Sequence, residues 1–265
     1  MFATPAVLLR RVDYGDFDLI LTFFTEHAGK VSVIAKHAKK SKKRFAGVLE
    51  LFTVLKITCR TGRRSGLPVL QEALLEEPFA AIRENMLMTA YASYWAELIT
   101  IWAEESQKSS RLYSLLVQVL DGLDRRGLEP ALLNLVFQMR FLDIAGLCPN
   151  LNYCCVCKQD FDRVPHPAAG LDLPRGGLRC HGCEDHDEGH VCLSRGTVKQ
   201  LQWLAQGDLK RVERLRFSAQ GLREAQRFLE TFVPFHLGKE PRSLKVLRRI
   251  RGGAVPADRL AVEGG

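Results

Sequence analysis

The chain has 265 residues, 46% of them hydrophobic, and carries 38 Lys and Arg against 30 Asp and Glu, a formal net charge of +8. This composition excludes a disordered polyelectrolyte and allows one large or two ordinary folded domains. No apolar run reaches the roughly 18 residues of a membrane span, and the amino terminus lacks the pattern of a signal peptide. We therefore expect a cytoplasmic protein.

Charge is distributed unevenly along the chain. Residues 1–80 carry 13 Lys and Arg against 8 Asp and Glu, residues 81–194 carry 10 against 15, and residues 195–253 carry 14 against 5. Two basic ends thus flank an acidic middle. This distribution indicates a polyanionic partner that particular surfaces of the protein contact.

The amino-terminal part has the pattern of short strands joined by turns. Gly15, Gly29, a loop at 37–47 and a turn at 61–66 separate its apolar stretches. Five strands in about 75 residues predict a small closed barrel of the oligonucleotide-binding (OB) type, and periodicity alone leaves an SH3-like barrel open. The five candidate strands are 7–12, 19–25, 31–36, 49–59 and 67–73.

A basic segment interrupts these strands, because six of the nine residues from 36 to 44 are permanent cations. Such charges repel one another, so the segment is expected to be an exposed loop. A solvated loop is the ordinary interpretation of a charge run, but a place beside an OB-type barrel favours phosphate contact. Phe45 is the one aromatic residue adjoining the run, which favours backbone contact over base stacking. The candidate phosphate ligands are Lys36, Lys39, Lys40, Lys42, Lys43 and Arg44, with Lys30 as a neighbouring candidate.

After Pro78 the apolar residues recur at helical spacing, and a cysteine-rich module interrupts this pattern. The predicted fold class is therefore α+β, with a five-stranded barrel domain followed by a helical domain. The predicted helical segments are 87–102, 112–123, 132–144, one that opens near 201, and 222–233. The predicted domains are the barrel at 1–78, the helical domain at 79–251 with the module at about 148–193, and a flexible tail at 252–265.

Two Cys-x-x-Cys pairs are the most specific chemical signal in the chain, and 22 residues separate Cys157 from Cys180. Four thiolates supply the tetrahedral shell that zinc prefers, and in a reducing compartment this spacing favours metal over disulfides. A closed shell of four protein ligands leaves no position for a catalytic water. We predict one structural zinc ion per chain, with a hairpin at 170–177 that brings the pairs together. The predicted ligands are Cys154, Cys157, Cys180 and Cys183.

Five other residues of the module leave the ligand set open. Cys154 and Cys155 are adjacent, so the register is ambiguous by one residue. His181, His186, His190 and Cys192 carry donors that could also enter the shell.

The carboxy-terminal region contains a second group of cations on amphipathic stretches. These stretches are either the wet face of helices or a second surface for nucleic acid or for an acidic protein tail. The candidate residues are Arg223, Arg227, Lys245, Arg248 and Arg249.

Catalytic motifs are missing from the sequence. It contains no phosphate-binding Gly-x-x-x-x-Gly-Lys loop, no Gly-x-Gly-x-x-Gly, no His-Glu-x-x-His and no Gly-x-Ser-x-Gly. We therefore expect a protein that is not an enzyme. A zinc-dependent nuclease is the weakest of the hypotheses.

Several short motifs occur in a distinctive order in the amino-terminal part: Gly-Asp-Phe-Asp at 15–18, Leu-Thr-Phe-Phe-Thr at 21–25, Gly-Lys at 29–30, Ala-Lys-His-Ala-Lys-Lys at 35–40, Arg44, and Leu-Glu-Leu-Phe at 49–52. This order resembles the bacterial RecO family. The resemblance extends through the helical segments, the cysteine module and Leu193-Ser194-Arg195-Gly196, to about residue 250.

The resemblance implies an OB barrel, a helical domain and an embedded zinc module in a bacterial, nucleoid-associated protein. It also implies a non-catalytic mediator that binds single- and double-stranded DNA and anneals complementary strands. With RecR, such a mediator helps to load a recombinase onto strands covered by single-stranded DNA-binding protein. The alternative is an adaptor whose basic helical domain binds an acidic protein tail, with DNA contact secondary.

Overall fold

A computed structural model describes residues 1–41, 44–61, 66–125, 127–163, 168–183, 191–206, 212 and 214–253. The amino-terminal residues form five strands, and in the second of them residues 18–23 alternate between partly exposed and buried side chains, as the two-residue period of a half-buried strand requires. These strands are β1 (Phe2–Tyr14), β2 (Asp18–Thr25), β3 (Gly29–Ala35), β4 (Val54–Arg60) and β5 (Val69–Glu77).

The five strands form a closed barrel in the order β1-β2-β3-β5-β4. β1 pairs antiparallel with both β2 and β4, so it closes the barrel on one side. A short parallel pairing of β3 with β5, at Ile34 and Val69, closes it on the other. The predicted five-stranded OB-type barrel is therefore confirmed, and closure through β3 and β5 decides against the SH3-like alternative.

The first strand is longer than the predicted 7–12, since it runs from Phe2 to Tyr14, and the fourth and fifth strands also differ from the prediction. The stretch expected as a strand from 49 begins only at Val54, because the preceding residues form turns in which Leu49 and Phe52 are buried. Their apolar character reflects burial in a turn that covers the barrel. β5 continues four residues beyond 73, and the prediction missed this end because Leu74 and Leu75 are both exposed and break the alternation.

The remaining described residues form seven α-helices and a small sheet, and the helical periodicity is confirmed. The sheet has the order β7-β6-β8, with β6 (Ala168–Asp172), β7 (Gly177–Cys180) and β8 (Cys192–Ser194). No helix in the described part of the chain is long and apolar enough to cross a membrane. The helices are α1 (Ala80–Glu84), α2 (Met86–Trp102), α3 (Ser110–Asp124), α4 (Pro130–Ile144), α5 (Arg195–Gln206), α6 (Ala219–His236) and α7 (Arg242–Arg251).

α4 runs through the middle of the helical core, and 11 of its 15 residues are buried. Two of these are polar, and each has a partner on α2. The indole Nε1 of Trp95 donates to Asn134 Oδ1 at 3.0 Å, and the Tyr94 hydroxyl donates to Gln138 Oε1 at 3.0 Å. Buried polar groups are tolerated when they are hydrogen-bonded, so these two bonds set the register of α2 against α4.

The barrel shares a core with the helices. Along β1, Ala6 and Leu8 point into the barrel, whereas Val7 and Leu9 join the core of the helical region. The same alternation recurs on β2 and β4, so one wall of the barrel serves two cores. The barrel is consequently held against the helices by continuous apolar packing.

A backbone contact at the β2–β3 turn extends the interface between the barrel and the helices, which we call the seam. The amide of Ser106, in the link between α2 and α3, donates to Lys30 O at 3.1 Å. Gly29 has φ +65°, and a Cβ atom at this position would overlap the carbonyl oxygen of Gln107. Only glycine permits both the backbone conformation and this close approach.

We predict that Gly29→Ala destabilises the protein by about 3 kcal/mol, since a positive-φ penalty of about 1 kcal/mol adds to overpacking against the backbone at 107. Gly47→Ala is the matched control, because Gly47 has φ +71° and an added methyl group there would meet no atom of the described residues within 4 Å. It should lose only about 1 kcal/mol. Urea unfolding of both variants measures the difference, and equal losses would contradict the close contact at Gly29.

Candidate nucleic-acid interface and metal centre

The strand register brings the predicted basic segment beside an acidic turn. β2 lies between β1 and β3, with Asp18 paired to Tyr14 and Leu19 paired to Ala35. The residues after β3 therefore run next to the turn before β2. The amide of His37 donates to Asp18 Oδ1 at 2.7 Å, and the amide of Lys39 donates to Phe17 O at 3.1 Å. We call the surface formed by residues 13–18, 36–41, 44 and 45 the loop surface.

The cations of the loop surface have unequal partners. Lys39 Nζ donates to Gly15 O at 3.0 Å and lies 3.2 Å from Asp13 Oδ2. Lys40 Nζ lies 3.7 Å from the centroid of the Phe17 ring. Within the described part of the chain, the exposed Lys36 side chain forms no hydrogen bond or ion pair. Lys36 is therefore the cation most available to an external anion.

The described cations of this segment are exposed as expected, but two of its apolar residues pack onto the barrel. Ala38 and Phe45 are buried, and residues 38–40 form a single 3-10 turn. The guanidinium of Arg44 donates to Lys36 O at 3.0 Å and covers the Phe45 ring. The two buried side chains anchor the segment to the barrel, so its cations are presented from a folded turn. Lys42 and Lys43 lie outside the described residues.

Lys30 is separated from the loop surface by the length of β3. Six residues of strand place it about 20 Å from Lys36. Its ammonium donates to Thr100 O, on α2, at 3.0 Å. Lys30 thus contributes to the seam between the barrel and the helices, and it does not adjoin the other candidates.

The structure also places aromatic side chains on the loop surface, which the linear sequence did not reveal. The Phe17 and His37 rings have centroids 6.1 Å apart and planes inclined by 18°. They come from different loops, Phe17 from the turn before β2 and His37 from within the basic segment itself. The three-strand meander is the signal that predicts this proximity, because it brings the ends of β1 and β3 together at the start of β2.

The carboxy-terminal cations divide into two groups. On α7, Lys245 pairs with Glu240 at 3.2 Å, and Arg248 pairs with Glu230 at 3.0 Å. Their charges are therefore largely neutralised within the molecule. Arg223, Arg227 and Arg249 are exposed and form no ion pair among the described residues.

The four predicted cysteine ligands converge on one point. The sulfur atoms of Cys154, Cys157, Cys180 and Cys183 lie within 4.8 Å of one another. Cys157 Sγ and Cys180 Sγ are 3.7 Å apart, too far for a disulfide and close to the roughly 3.8 Å edge of a tetrahedron with Zn–S bonds of about 2.3 Å. The described cluster could therefore hold a metal ion with four thiolate ligands.

A hairpin and one backbone bond bring the two pairs together. β6 and β7 form the hairpin predicted at 170–177, and the amide of Cys155 donates to Leu178 O, on β7, at 2.8 Å. The buried carboxylate of Asp172 accepts hydrogen bonds from the backbone and guanidinium of Arg175 and closes the hairpin turn. Burial raises the pKa of Asp172, but these hydrogen bonds and Arg179 outweigh it and hold the pKa below its usual range.

The electrostatics of the cluster favour a bound cation. Burial raises the pKa of Cys154, but backbone N–H groups of Cys180, Cys157 and Val156 outweigh it and lower the pKa to about 6. Burial and the neighbouring sulfur atoms raise the pKa of Cys180 to about 12. The site therefore stabilises one thiolate by itself, and a divalent cation would offset the mutual repulsion of four.

The structure resolves the register of the first pair. The sulfur of Cys155 lies outside the cluster, 3.6 Å from Asn150 Nδ2, and packs against Gly177, where a Cβ atom would come within 2.7 Å of it. His181 and Cys192 are described and are not part of the four-sulfur group. His186 and His190 lie outside the described residues.

Comparison with known proteins agrees with this architecture. The family profile described as "Recombination protein O N terminal" matches residues 1–79, and "Recombination protein O C terminal" matches residues 83–245. The chain is 44% identical over 255 residues to the DNA repair protein RecO of Desulfosudis oleivorans, covering 94% of this chain and 98% of the relative.

Two further relatives carry the same name. The DNA repair protein RecO of Desulfatibacillum aliphaticivorans is 42% identical over 249 residues, covering 94% of this chain and 96% of that protein. The RecO of Listeria innocua is 31% identical over 242 residues, covering 91% and 92%. The chain therefore belongs to the RecO family of DNA repair proteins.

Proposed function

We propose that this protein is a non-catalytic mediator of recombinational repair. It binds single- and double-stranded DNA, anneals complementary strands and, together with RecR, helps to load a recombinase onto strands covered by single-stranded DNA-binding protein. The observation that carries the proposal is the loop surface, where a folded turn of a closed OB-type barrel presents several cations. Family membership supports the same role.

The ion pairs of the loop surface rank its candidate phosphate ligands. Lys36 is exposed without a described partner, so binding a phosphate displaces no internal contact. Lys39 must first break its ion pair with Asp13 and its hydrogen bond to Gly15 O. Lys40 rests on an aromatic ring and can turn outward at small cost, whereas Arg44 would lose its hydrogen bond to Lys36 O as well as its contact with the Phe45 ring. Lys42 and Lys43 remain in the proposed set, whereas Lys30 is left out because its ammonium binds Thr100 O.

We predict that Lys36→Ala lowers the salt slope of binding to a single strand by about 0.7, since each neutralised phosphate contributes about that amount. Lys39→Ala is the matched comparison. It should change the slope less, because the ammonium of Lys39 is already paired with Asp13 at 3.2 Å. Fluorescence anisotropy titrations between about 50 and 200 mM salt measure both slopes. A salt slope in Lys36→Ala equal to that of the wild-type protein would contradict the assignment of Lys36 as a phosphate ligand.

We predict that the protein accelerates annealing of complementary strands coated with single-stranded DNA-binding protein, without any nucleotide. The reason is that a cationic surface offsets the repulsion between two phosphate backbones. Charge reversal of Lys36, Lys40 and Arg44 together should abolish the acceleration, whereas reversal of the exposed Arg249 should preserve it. Unaccelerated annealing with wild-type protein would refute the mediator role.

An adaptor for an acidic protein tail is the alternative function. Arg223 and Arg227 favour it, because they are exposed one helical turn apart on α6 and form no ion pair in the described part of the chain. Lys245 and Arg248 support it less, since Glu240 and Glu230 already neutralise them. A pull-down with single-stranded DNA-binding protein that Arg223→Glu/Arg227→Glu loses and the loop-surface variants retain would favour the adaptor.

We further propose that the four-cysteine cluster holds one structural zinc ion per chain. The 3.7 Å separation of Cys157 and Cys180 supports zinc, because it fits tetrahedral thiolate coordination. When bound, the ion supplies a cross-link between the 154–157 turn and the end of β7. The residues themselves position the shell, since hydrogen bonds from the amides of Cys180 and Val156 stabilise the Cys154 thiolate.

We predict about one zinc ion per chain in the wild-type protein and almost none in Cys157→Ser, because three thiolates hold zinc far more weakly than four. Cys155→Ser is the control, since it makes the same atomic change at a buried thiol outside the cluster. It should keep the metal. Metal analysis by mass spectrometry measures occupancy, and thermal unfolding should show a loss in Cys157→Ser alone. Zinc-free wild-type protein would overturn the proposal.

A further inference from the structure

The loop surface carries an aromatic pair that the barrel core does not use. Phe17 is 36% exposed and lies in the turn between β1 and β2. Its ring faces the exposed ring of His37 at 6.1 Å, with an angle of 18° between their planes. Buried aromatic side chains contribute to cores, whereas this pair belongs to no apolar cluster that the described residues of the barrel form.

His37 is held in place by its backbone. It has φ 55°, a left-handed conformation that is costly for a residue with a side chain. A hydrogen bond from its amide to Asp18 Oδ1, at 2.7 Å, stabilises that conformation. The imidazole is thereby presented beside Phe17 and next to the cations of the folded turn. The backbone conformation of His37 therefore fixes the arrangement of the two rings on the loop surface.

Lys40 links this pair to the phosphate-binding cations. Its ammonium lies 3.7 Å from the centroid of the Phe17 ring, so a cation covers one face of the ring. Cation–π contacts at exposed sites are weak, and a stacked base is a stronger partner for an aromatic ring. A base that takes the place of the ammonium would release Lys40 to bind the phosphate of the same nucleotide.

We propose that Phe17 and His37 form a stacking platform for the bases of single-stranded DNA, with Lys40 exchanging its contact with the ring for one with phosphate. The inference rests on the proposed DNA-binding function, because the same surface must first attract the backbone. Bases within a duplex are already stacked and cannot reach the platform. The platform therefore adds affinity for single strands only, and it makes the loop surface prefer them.

The test compares three probes that share the phosphate charge and differ in available bases. The first is a labelled thymidine oligonucleotide, the second is a strand of the same length built from abasic tetrahydrofuran residues, and the third is a duplex. Phe17→Leu removes the ring while keeping an apolar side chain. His37→Asn removes the second ring while keeping a residue that tolerates φ > 0.

Each variant should bind the thymidine strand about 10-fold more weakly, as expected for the loss of one stacked base. Binding to the abasic strand and to the duplex should change less than about twofold, because neither offers a free base. Phe235→Leu is the matched control, since Phe235 is another exposed phenylalanine that contacts a histidine, on α6. It should leave all three affinities unchanged, and thermal unfolding checks that each variant is folded.

Two results would overturn the stacking platform. Both variants could bind the thymidine strand as tightly as the wild-type protein does, or they could weaken binding to all three probes equally. In either case the proposed function would still stand if Lys36→Ala lowers the salt slope as predicted. Failure of the proposed function is recognised differently, by a wild-type protein that binds none of the probes or by a salt slope that Lys36→Ala does not alter.

Discussion

Strand β1 packs into two apolar cores at once, and the arrangement of the rest of the molecule depends on this. Its pleat sends Ala6 and Leu8 into the barrel and Val7 and Leu9 into the helical region. Because side chains alternate strictly along a strand, one wall of the barrel can be fully buried on both faces. At one end of the barrel, the Gly29 turn contacts the helical link. The loop surface lies at the opposite ends of β2 and β3 and is left facing solvent, where a long polyanion can reach it.

The cysteine module is part of the helical core and not an appendage to it. Leu171, Leu178 and Leu193, from its three strands, pack into the same apolar cluster as α4 and α6. The sulfur cluster lies at the far end of β7, where the sheet is too small to hold the 154–157 turn by strand pairing. Four convergent sulfur atoms at this position have the geometry of a cross-link. The chemistry with DNA is proposed for a surface more than a hundred residues earlier in the chain.

Formal charge overstates the cations that the protein can offer to a partner. The segment 195–253 has nine more cations than anions, yet Glu230 and Glu240 neutralise several of those on α7. On the loop surface, Asp13 neutralises Lys39 in the same way. Electrostatic attraction acts over about 8 Å at physiological ionic strength, so both surfaces still contribute to steering. Direct phosphate contact requires an unpaired ammonium or guanidinium, and Lys36 is the clearest described example of one.

The sequence by itself determined the order of barrel, helices and metal module, because strand and helix periods and Cys-x-x-Cys spacing are local properties. It predicted the four sulfur ligands but not their register, since Cys154 and Cys155 are equivalent until Leu178 O binds the Cys155 amide and turns its side chain away. It could not show that the Phe17 ring lies beside the His37 ring, that Lys30 donates to Thr100 O, or that Glu230 pairs with Arg248. Those contacts join residues 18 to 70 positions apart. Only tertiary structure decides them, because strand register and helix packing set which distant side chains meet.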